Sequence, residues 1–209
     1  ADVSGKGVPA ALLSSMLQAA LRTQASAVAT PAAILANINR LLYRSTAIQQ
    51  FASFFLARID GTGRELVSAN AGHNWPLLRR RGGHRHLLQR GGVLLGILED
   101  VTYEEDRMAL EPGDLLVLYT DGVSEAMNAA GEMFGDERLH DAVAAVPAHL
   151  GARAVAEGLL EGLHTFLDGT EPQDDVTLVV VRVPEAEPAA VGAETGAAEP
   201  ATAGEPIGA

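Results

Sequence analysis

Three places in this sequence set a carboxylate beside small or polar residues at the edge of an apolar segment. They are Asp2 in the opening Asp-Val-Ser-Gly, Asp121 after the run 115–120, and the pair Asp174-Asp175 before the run 176–183. Carboxylates that come together raise one another's pKa unless a cation neutralises them. If these places converge, a divalent metal site is indicated, and two such ions could hold a hydroxide in line with a phosphorus atom. Spacing alone does not establish that they converge.

The segment 115–120 has the pattern of a fully buried strand, because it is apolar, aromatic or β-branched in all six positions and polar turn residues flank it. A carboxylate at the end of such a strand is held rigidly. Asp121-Gly122 is also an ordinary turn sequence, since both residue types favour turns. The pair therefore predicts either a turn or a metal ligand, and other stretches of the chain must decide between them.

The composition excludes several kinds of site and partner. The 209 residues contain no cysteine and six histidines, so disulfides and thiolate sites are excluded, and a hard cation such as Mn²⁺ or Mg²⁺ is favoured. A formal charge of −12 argues against a nucleic-acid partner. No apolar run approaches the roughly 18 to 20 residues that span a bilayer, and the first residues lack the features of a signal peptide. We predict a cytoplasmic protein without a membrane segment.

The elements that must position these carboxylates follow from the spacing of apolar residues. Helical spacing begins at Pro9, at Pro31 with Thr30 as its N-cap, at Gly135 and at Ala152. Strand patterns cover 51–59, 65–70, 101–110, 115–120 and 176–183, with the turn 60–63 making the first two a hairpin. The order of elements predicts an α+β fold in which a mainly antiparallel sheet structure is flanked by helices.

We predict one folded domain over residues 1–183. From 184 to 209 the chain is rich in Ala, Glu, Pro and Gly, with five glutamates and no basic or aromatic residue. Such a composition cannot bury enough apolar surface to offset the entropy of folding. Residues 184–209 are therefore predicted to be a disordered tail.

Six short motifs carry a family resemblance. They are Asp-Val-Ser-Gly-Lys-Gly-Val-Pro-Ala-Ala-Leu at 2–12, Asn-Ala-Gly-His-Asn at 70–74, Pro-Gly-Asp at 112–114, Tyr-Thr-Asp-Gly-Val-Ser-Glu-Ala at 119–126, Phe-Gly at 134–135 and Asp-Asp-Val-Thr-Leu at 174–178. In this order they resemble the bacterial PP2C-like (PPM) serine/threonine phosphatases of the SpoIIE/RsbU type, over about residues 1–183. Each motif alone is weak, and the six together are specific.

The resemblance implies an α/β/β/α sandwich of two mainly antiparallel sheets with two Mn²⁺ or Mg²⁺ ions between them. It implies metal ligands at Asp2, the Val3 carbonyl, Asp121 and Asp174. Three further residues are implied to lie around these ligands: Asp175, Gly122 and His73. The implied reaction is hydrolysis of a phosphoprotein by metal-bound hydroxide, without a covalent phosphoenzyme. The implied substrate is a small anti-sigma-factor antagonist of the STAS type, and an upstream sensor or receiver domain and a homodimer are compatible with the family.

One departure from the family pattern concerns the start of the sequence. The family has a further acidic motif, Gly-Asp followed shortly by another Asp, on a strand before position 1 of this sequence. The sequence begins without methionine inside the first motif, and we expect an N-terminally truncated domain that lacks its first strands. The alternative is a catalytically impaired module that binds a phosphoprotein or a regulator without turnover.

Lys6 and His73 each have two interpretations. Lys6 lies in Ser-Gly-Lys-Gly before the first predicted helix, where it could contact a phosphate or where the glycines could simply form a turn. The spacing of a P-loop is absent. His73 is predicted to be a hydrogen-bonding structural residue rather than a catalytic acid. A Ser-His-Asp hydrolase is disfavoured because no Gly-x-Ser-x-Gly motif occurs.

A basic hairpin stands out in this acidic chain. It contains Arg79, Arg80 and Arg81, followed by His84, Arg85 and His86. It is predicted either to be a solvated hairpin tip or to contact an acidic or phosphorylated partner. The two histidines are predicted to be solvated rather than a metal pair.

Overall fold

The computed structural model describes residues 1–25, 30–46 and 50–185. In chain order its elements are β1 (Asp2–Val3), α1 (Val8–Ala25), α2 (Pro31–Ser45), β2 (Ala52–Ile59), β3 (Glu65–Ala71), β4 (Leu77–Arg79), β5 (Arg85–Leu87), β6 (Gly91–Gly92), β7 (Asp106–Ala109), β8 (Leu115–Tyr119), α3 (Asp121–Ser124), α4 (Gly135–Ala145), α5 (Ala152–Leu167) and β9 (Leu178–Arg182). The predicted mixture of helices and mainly antiparallel strands is confirmed.

The strands form two sheets. In the first sheet β1 pairs with β2, β2 pairs with β3, and both β6 and β7 pair with β3. The second sheet has the order β5-β4-β8-β9. Every pairing is antiparallel except the two-residue contact of β3 with β6. The strand predicted at 115–120 therefore lies in the interior of the second sheet.

Alternating side chains along each strand place the two sheets between two layers of helices. Phe55, Leu78 and Leu116 point into the apolar layer between the sheets. Their neighbours Leu77 and Leu115 point to the opposite face, where α4 and α5 cover the second sheet. The helices α1 and α2 cover the outer face of the first sheet in the same way. Because strand side chains alternate between faces, these runs of buried residues produce the predicted α/β/β/α sandwich.

The helix α2 illustrates how local sequence sets an element. Thr30 has an extended backbone, and its hydroxyl accepts a hydrogen bond from the Ala33 N–H at 3.4 Å. Pro31 follows at the first helical position, where its missing N–H leaves no intrahelical bond unmade. The apolar residues then recur at helical spacing and are buried on one face: Ile34, Leu35, Ile38 and Leu42. The predicted helix and its N-cap are confirmed.

Within α2, Asn39 is fully buried and holds the segment that leads to β7. Its amide nitrogen donates to the carbonyl oxygens of Leu98 at 2.8 Å and Glu99 at 3.0 Å, and its amide oxygen accepts from the Gly96 N–H at 2.8 Å. A single side chain therefore satisfies three backbone groups of a loop that has no strand partner of its own. Buried backbone groups require such partners.

The hairpin of β2 and β3 depends on Asp60. Its carboxylate accepts the backbone N–H groups of Arg64 at 2.7 Å and Glu65 at 2.8 Å, and its contacts with Thr62 and these N–H groups lower its pKa. An Asp that accepts neighbouring backbone N–H groups is a recurrent turn device. The predicted turn and hairpin are confirmed.

The strand predicted at 101–110 was too long, because only Asp106–Ala109 pairs with β3. Tyr103 is buried in the layer under α1 and α2, and its hydroxyl donates to the Val93 carbonyl at 3.1 Å. The Glu105 carboxylate accepts the N–H of Ala32 at 3.0 Å. These contacts with a loop and a helix fix residues 101–105 outside the sheet.

The predicted tail lies, from residue 186 onward, outside the described residues. Across the helices that the structure describes, none is long and apolar enough to cross a bilayer.

Candidate active site

Asp2 and Val3 form the edge strand of the first sheet. Asp2 lies opposite Ser53 and Val3 opposite Ala52 in the antiparallel pairing of β1 with β2. The chain is then fixed by two further hydrogen bonds, from the Ser4 N–H to the Phe51 carbonyl and from the Phe51 N–H to the Ser4 hydroxyl, both 2.9 Å. Asp2 is solvent-exposed and Val3 is half-buried against the core. The first predicted ligand thus lies at one edge of the first sheet.

Asp121 lies at a strand-to-helix junction of the second sheet. The buried strand β8 ends at Tyr119, Thr120 takes the N-cap position, and Asp121 is the first residue of the short helix α3. Its carboxylate accepts the Gly122 N–H at 2.9 Å. The backbone therefore does turn at Asp121-Gly122, and the turn directs the chain so that Asp121 lines a cleft. The two interpretations of this pair are compatible with each other.

Gly122 allows the segment with Asp174 and Asp175 to lie against α3. A Cβ atom at position 122 would be 2.3 Å from the Asp175 carbonyl oxygen and 2.8 Å from its carbon. Thr120 strengthens this contact, since its hydroxyl donates to the same carbonyl and accepts the Thr177 N–H, each at 3.1 Å. Close backbone approach at a glycine thus places Asp121 and Asp174 along the same cleft.

The three predicted carboxylate ligands influence one another. The pKa of Asp2 is raised, first by partial burial and then by the negative charges of Asp121 and Asp174, against a hydrogen bond from the Val3 N–H. Like charges raise a carboxyl pKa only when they are near. Asp2 comes from the first sheet and the other two flank strands of the second, so residues far apart in the sequence lie near enough for their charges to interact. Asp2 is not among the residues that line the cleft with Asp121 and Asp174.

The cleft has the donor chemistry that suits a hard cation. Its volume is about 210 Å³, and its polar lining comprises Lys6, Asp121, Glu125, Gln173 and Asp174. Oxygen donors, mainly carboxylates, are the ligands that Mg²⁺ and Mn²⁺ prefer. Within residues 1–25, 30–46 and 50–185, however, no three His, Asp or Glu side chains are close enough together to hold a metal by themselves. The donor types in the cleft therefore fit a hard cation, but the carboxylates lie farther apart than the ligands of one bound ion.

Lys6 lines the cleft, and Asp175 follows the cleft residue Asp174 in the chain. The Asp175 N–H donates to the Asp174 carboxylate at 2.8 Å, while its own side chain is exposed. Lys6 is exposed and lines the cleft between Gly5 and Gly7, whose φ angles are 88° and 75°. Such left-handed angles favour glycine, so these two glycines set the turn that places Lys6 beside the carboxylates.

His73 contacts the strand that pairs with β1. Asn70 fixes the loop, because its side chain accepts the His73 N–H at 2.7 Å and donates to the His73 carbonyl at 3.0 Å. The His73 Nδ1 lies 2.8 Å from the Ser53 hydroxyl, and Ser53 pairs with Asp2. Burial lowers the pKa of His73 to about 4. His73 is therefore neutral near pH 7, in an environment that suits a hydrogen-bonding structural residue.

The basic hairpin places its three arginines in different surroundings. Arg79 is buried, and its guanidinium donates to the carbonyls of Ala144 at 3.1 Å and Val146 at 2.7 Å at the end of α4. Arg80 pairs with the fully buried Asp114 at 2.7 Å. Arg81 is exposed and its nearest acidic partner is Glu185 at 3.8 Å. Two of the three predicted contact residues therefore hold the fold, and only the guanidinium of Arg81 faces solvent.

Sequence reasoning missed Glu125 and Gln173 in the cleft and the role of Thr120. Glu125 stands four residues after Asp121, one turn of a helix, so its position on the cleft wall could have been anticipated. Gln173 directly precedes Asp174 and had no distinguishing signal in the sequence. The role of Thr120 depends on contacts with residues 55 and 57 positions away, which no local pattern reveals.

Comparison with known proteins identifies a family and related sequences. The family model of stage II sporulation protein E (SpoIIE) matches residues 1–184. Phosphoserine phosphatase RsbU of Bacillus subtilis (strain 168) is 30% identical over 185 residues, which cover 87% of this chain and 54% of RsbU. The chain therefore spans about half the length of this relative.

Two solved structures are similar in fold. The SiaA-PP2C domain of Pseudomonas aeruginosa superposes with a TM-score of 0.73 at 25% identity, covering 86% of this chain and 72% of that domain. The RsbU and RsbW domains of Rv1364c from Mycobacterium tuberculosis give a TM-score of 0.71 at 28% identity, covering 90% and 51% of the two chains. The two-sheet architecture described above is thus that of PP2C domains.

Proposed function

The chain belongs to the SpoIIE family, and we propose on that basis that it carries the catalytic domain of a metal-dependent protein serine/threonine phosphatase. The observation that supports the proposal is the acidic cleft lined by Asp121, Glu125 and Asp174, whose Asp121 and Asp174 charges also raise the pKa of Asp2 on the first sheet. Carboxylates in one cleft repel each other and a phosphate group unless cations balance their charge. With bound cations such a cleft would suit the hydrolysis of a phosphate ester.

We propose that Mn²⁺ or Mg²⁺ is held by Asp2, Asp121 and Asp174 together with the carbonyl of Val3. Bound ions would balance the carboxylates, neutralise charge on the phosphoryl oxygens and activate water for hydrolysis. The chain itself contributes the fixed carboxylates, since Thr120 and Gly122 hold the 174–177 segment against α3. Fixed charges that need no rearrangement during a reaction are the most effective ones.

Lys6 is proposed to attract and orient the phosphate group. It is the one cationic side chain among the residues that line the cleft. A lysine ammonium is a compact point charge that binds phosphate oxygens through several donors. Its position between two glycines with left-handed backbone angles fixes the approach of the chain while leaving the side chain exposed.

The proposed substrate is a phosphoprotein. RsbU is named a phosphoserine phosphatase, and a STAS-type anti-sigma-factor antagonist is the finer proposal for this chain. Arg81 is the residue of the basic hairpin that we propose for contact with such a partner, because its side chain is 63% exposed and, among the described residues, its ion pair is the 3.8 Å contact with Glu185. The cytoplasmic location stays a prediction of the sequence, as do an upstream sensor or receiver domain and a homodimer.

The test is hydrolysis of a phosphoserine peptide with and without Mn²⁺, using this chain and a version extended upstream. Asp121→Asn and Asp174→Asn should each lower kcat/KM at least about a hundredfold, the scale on which removal of one charge-stabilising group acts. Asp141→Asn is the matched control, because Asp141 lies on α4 with an 81% exposed side chain. Undiminished activity of the Asp121 variant would overturn the site assignment.

A module that binds a phosphoprotein without turnover is the second candidate. It is favoured by the open arrangement of the carboxylates, since no group of three in the described ranges is close enough to hold a metal alone. This candidate predicts that the extended protein binds the phosphopeptide and gains thermal stability with Mn²⁺ but releases no phosphate. Release of phosphate that depends on Mn²⁺ and on Asp121 would exclude it.

A further inference from the structure

A second pocket lies beside the acidic cleft, and the proposed function assigns it no role. Its volume is about 410 Å³. It lies between the loop after β3, the end of β8 and the first turns of α4. We call it the Trp75 pocket and define it by six of its lining residues: His73, Asn74, Trp75, Tyr119, Asp136 and His140.

Two residues that line the Trp75 pocket contact elements that carry the proposed ligands. His73 contacts Ser53, which pairs with Asp2 on the neighbouring strand. The Asn74 amide lies 3.4 Å from the hydroxyl of Ser124, which belongs to the short helix that begins at Asp121. A protein segment whose phosphorylated residue occupies the cleft would therefore pass close to this pocket.

Asp136 gives the pocket its negative charge. The Tyr119 hydroxyl donates to the Asp136 Oδ1 at 2.8 Å. This hydrogen bond fixes the orientation of the Asp136 carboxylate. Within the described ranges no other residue donates a hydrogen bond to this carboxylate. One carboxylate oxygen is thus left for a ligand.

The two histidines add neutral hydrogen-bonding groups. His140 lies one helical turn after Asp136 and therefore on the same face of α4. Its Nε2 is buried and has no hydrogen-bond partner in the described part of the chain. Burial lowers the pKa of both His140 and His73, so neither ring carries a charge near pH 7. A neutral imidazole offers one acceptor nitrogen.

Trp75 completes the pocket with an aromatic surface. It is the single tryptophan of the chain, and it is 49% exposed despite its size. No lysine or arginine is among the residues that line this pocket. The charge of Arg85 acts on His140, but the Arg85 guanidinium pairs with Asp141 at 3.4 Å. A carboxylate, neutral acceptors and the face of an indole are complementary to a basic side chain.

We propose that the Trp75 pocket binds a basic side chain, preferentially arginine, that flanks the phosphorylated residue of the substrate. The proposal rests on the proposed phosphatase function for the location of the phosphorylated residue. Arginine is preferred because its planar guanidinium can stack on an indole while its N–H groups reach both a carboxylate and a neutral imidazole. The pocket thereby selects among phosphoproteins by a residue next to the reacting one.

The test uses Trp75 as its own probe. Peptides without aromatic residues carry a non-hydrolysable phosphonate in place of phosphoserine and a single arginine at one of three positions on either side. In each matched peptide citrulline replaces arginine, which keeps the shape and removes the charge. Each peptide is titrated into the Mn²⁺-treated protein while Trp75 emission is recorded. At one or more positions the arginine peptide should bind about fivefold more tightly, the factor given by a favourable exposed ion pair.

Two variants separate the pocket from general charge attraction. Asp136→Asn should reduce the ratio of the citrulline-peptide Kd to the arginine-peptide Kd to nearly one. Asp141→Asn on the same helix, where the carboxylate faces solvent and Arg85, should retain it. If Asp136→Asn unfolds the protein, as judged by circular dichroism, His140→Ala tests the same preference, which should then fall. Equal binding of arginine and citrulline peptides at every position, or an unchanged preference in the Asp136 variant, would overturn the proposal.

The phosphatase function is tested separately in the same series. Phosphoserine versions of the peptides are incubated with the protein and Mn²⁺, and the release of phosphate is measured. If no phosphate is released but the preference for arginine persists, the phosphatase proposal is overturned and the pocket proposal is supported. If phosphate is released but arginine and citrulline peptides bind equally, the pocket proposal is overturned and the phosphatase proposal is supported.

Discussion

Replacement of Gly122 by alanine tests how the acidic cleft is assembled. In open surroundings Gly→Ala within a helix stabilises a protein by roughly 0.5 to 1 kcal/mol, because alanine loses less backbone entropy on folding. Gly122 has no left-handed backbone angle that would oppose alanine. Its Cβ, however, would lie 2.3 Å from the Asp175 carbonyl oxygen and 3.2 Å from that of Asp174. Backbone atoms must therefore shift, and a shift of this kind costs about 1 to 3 kcal/mol.

We expect Gly122→Ala to lower the free energy of unfolding by about 1 to 2 kcal/mol after the gain in helix propensity is subtracted. For a domain of this size each kcal/mol corresponds to roughly 2 to 4 °C in Tm. The variant should also weaken the stabilisation that Mn²⁺ confers, because the displaced segment carries Asp174. Urea unfolding followed by circular dichroism, with and without Mn²⁺, measures both effects.

Gly158→Ala is the matched control for this prediction. Gly158 lies within α5, and a Cβ atom there would meet no atom within 4 Å. The same substitution should therefore stabilise the protein by roughly 0.5 to 1 kcal/mol and leave the Mn²⁺ effect unchanged. A Gly122 variant that is as stable as the Gly158 variant would refute the argument that close approach at Gly122 builds the cleft.

Three further predictions follow from buried and surface polar groups. Burial lowers the pKa of His73 from its ordinary value of 6.5 to about 4 in the folded state. Below pH 6.5 the unfolded chain therefore binds a proton that the folded chain does not, and stability falls as the pH drops from about 6.5 toward 4. This loss, up to about 3 kcal/mol, should be smaller in His73→Gln when the free energy of unfolding is measured between pH 4.5 and 7.5; an equal loss in both proteins would contradict it. Asn39→Leu leaves the three loop groups of residues 96–99 without their partner and should cost about 3 kcal/mol in urea unfolding, and a cost below about 1 kcal/mol would show that water replaces the side chain. Arg81→Glu should lower the ratio of phosphoprotein turnover to turnover of a small phosphate ester, compared with Arg107→Glu on β7, and an unchanged ratio would end the role of the basic hairpin in docking.

Local chemistry made much of the fold predictable. The cap at Thr30, the turn at Asp60 and the apolar spacing of α2 and α5 each depend on neighbours a few residues away, and the structure has them as predicted. The predicted strand at 101–110 failed where a residue's partner was distant. Tyr103 is buried by helices that precede it by more than fifty residues, and a β-propensity pattern cannot reveal such a contact.

The site was less accessible to reasoning from the sequence. The donor types were evident, yet the spacing of Asp2, Asp121 and Asp174 could not show that they converge, and only the family resemblance implied it. In the basic hairpin, the residue types suggested a function that the structure does not require. Charge alone made Arg79 a candidate for contact with a partner, but its length lets it reach the carbonyls of Ala144 and Val146 and bury its apolar stem.

The division of the proposed site between the two sheets has a consequence for stability. Asp2 lies on β1, which pairs with β2 in the first sheet, whereas Asp121 follows β8 and Asp174 precedes β9 in the second sheet. A cation held by all three carboxylates would join the two sheets, and it would bind the folded chain but not the unfolded one. Binding of this kind adds RT ln(1 + [L]/Kd) to the free energy of unfolding, about 2.7 kcal/mol at a cation concentration of 100 times Kd. The proposed metal would thus also serve as a cross-link between the two halves of the sandwich.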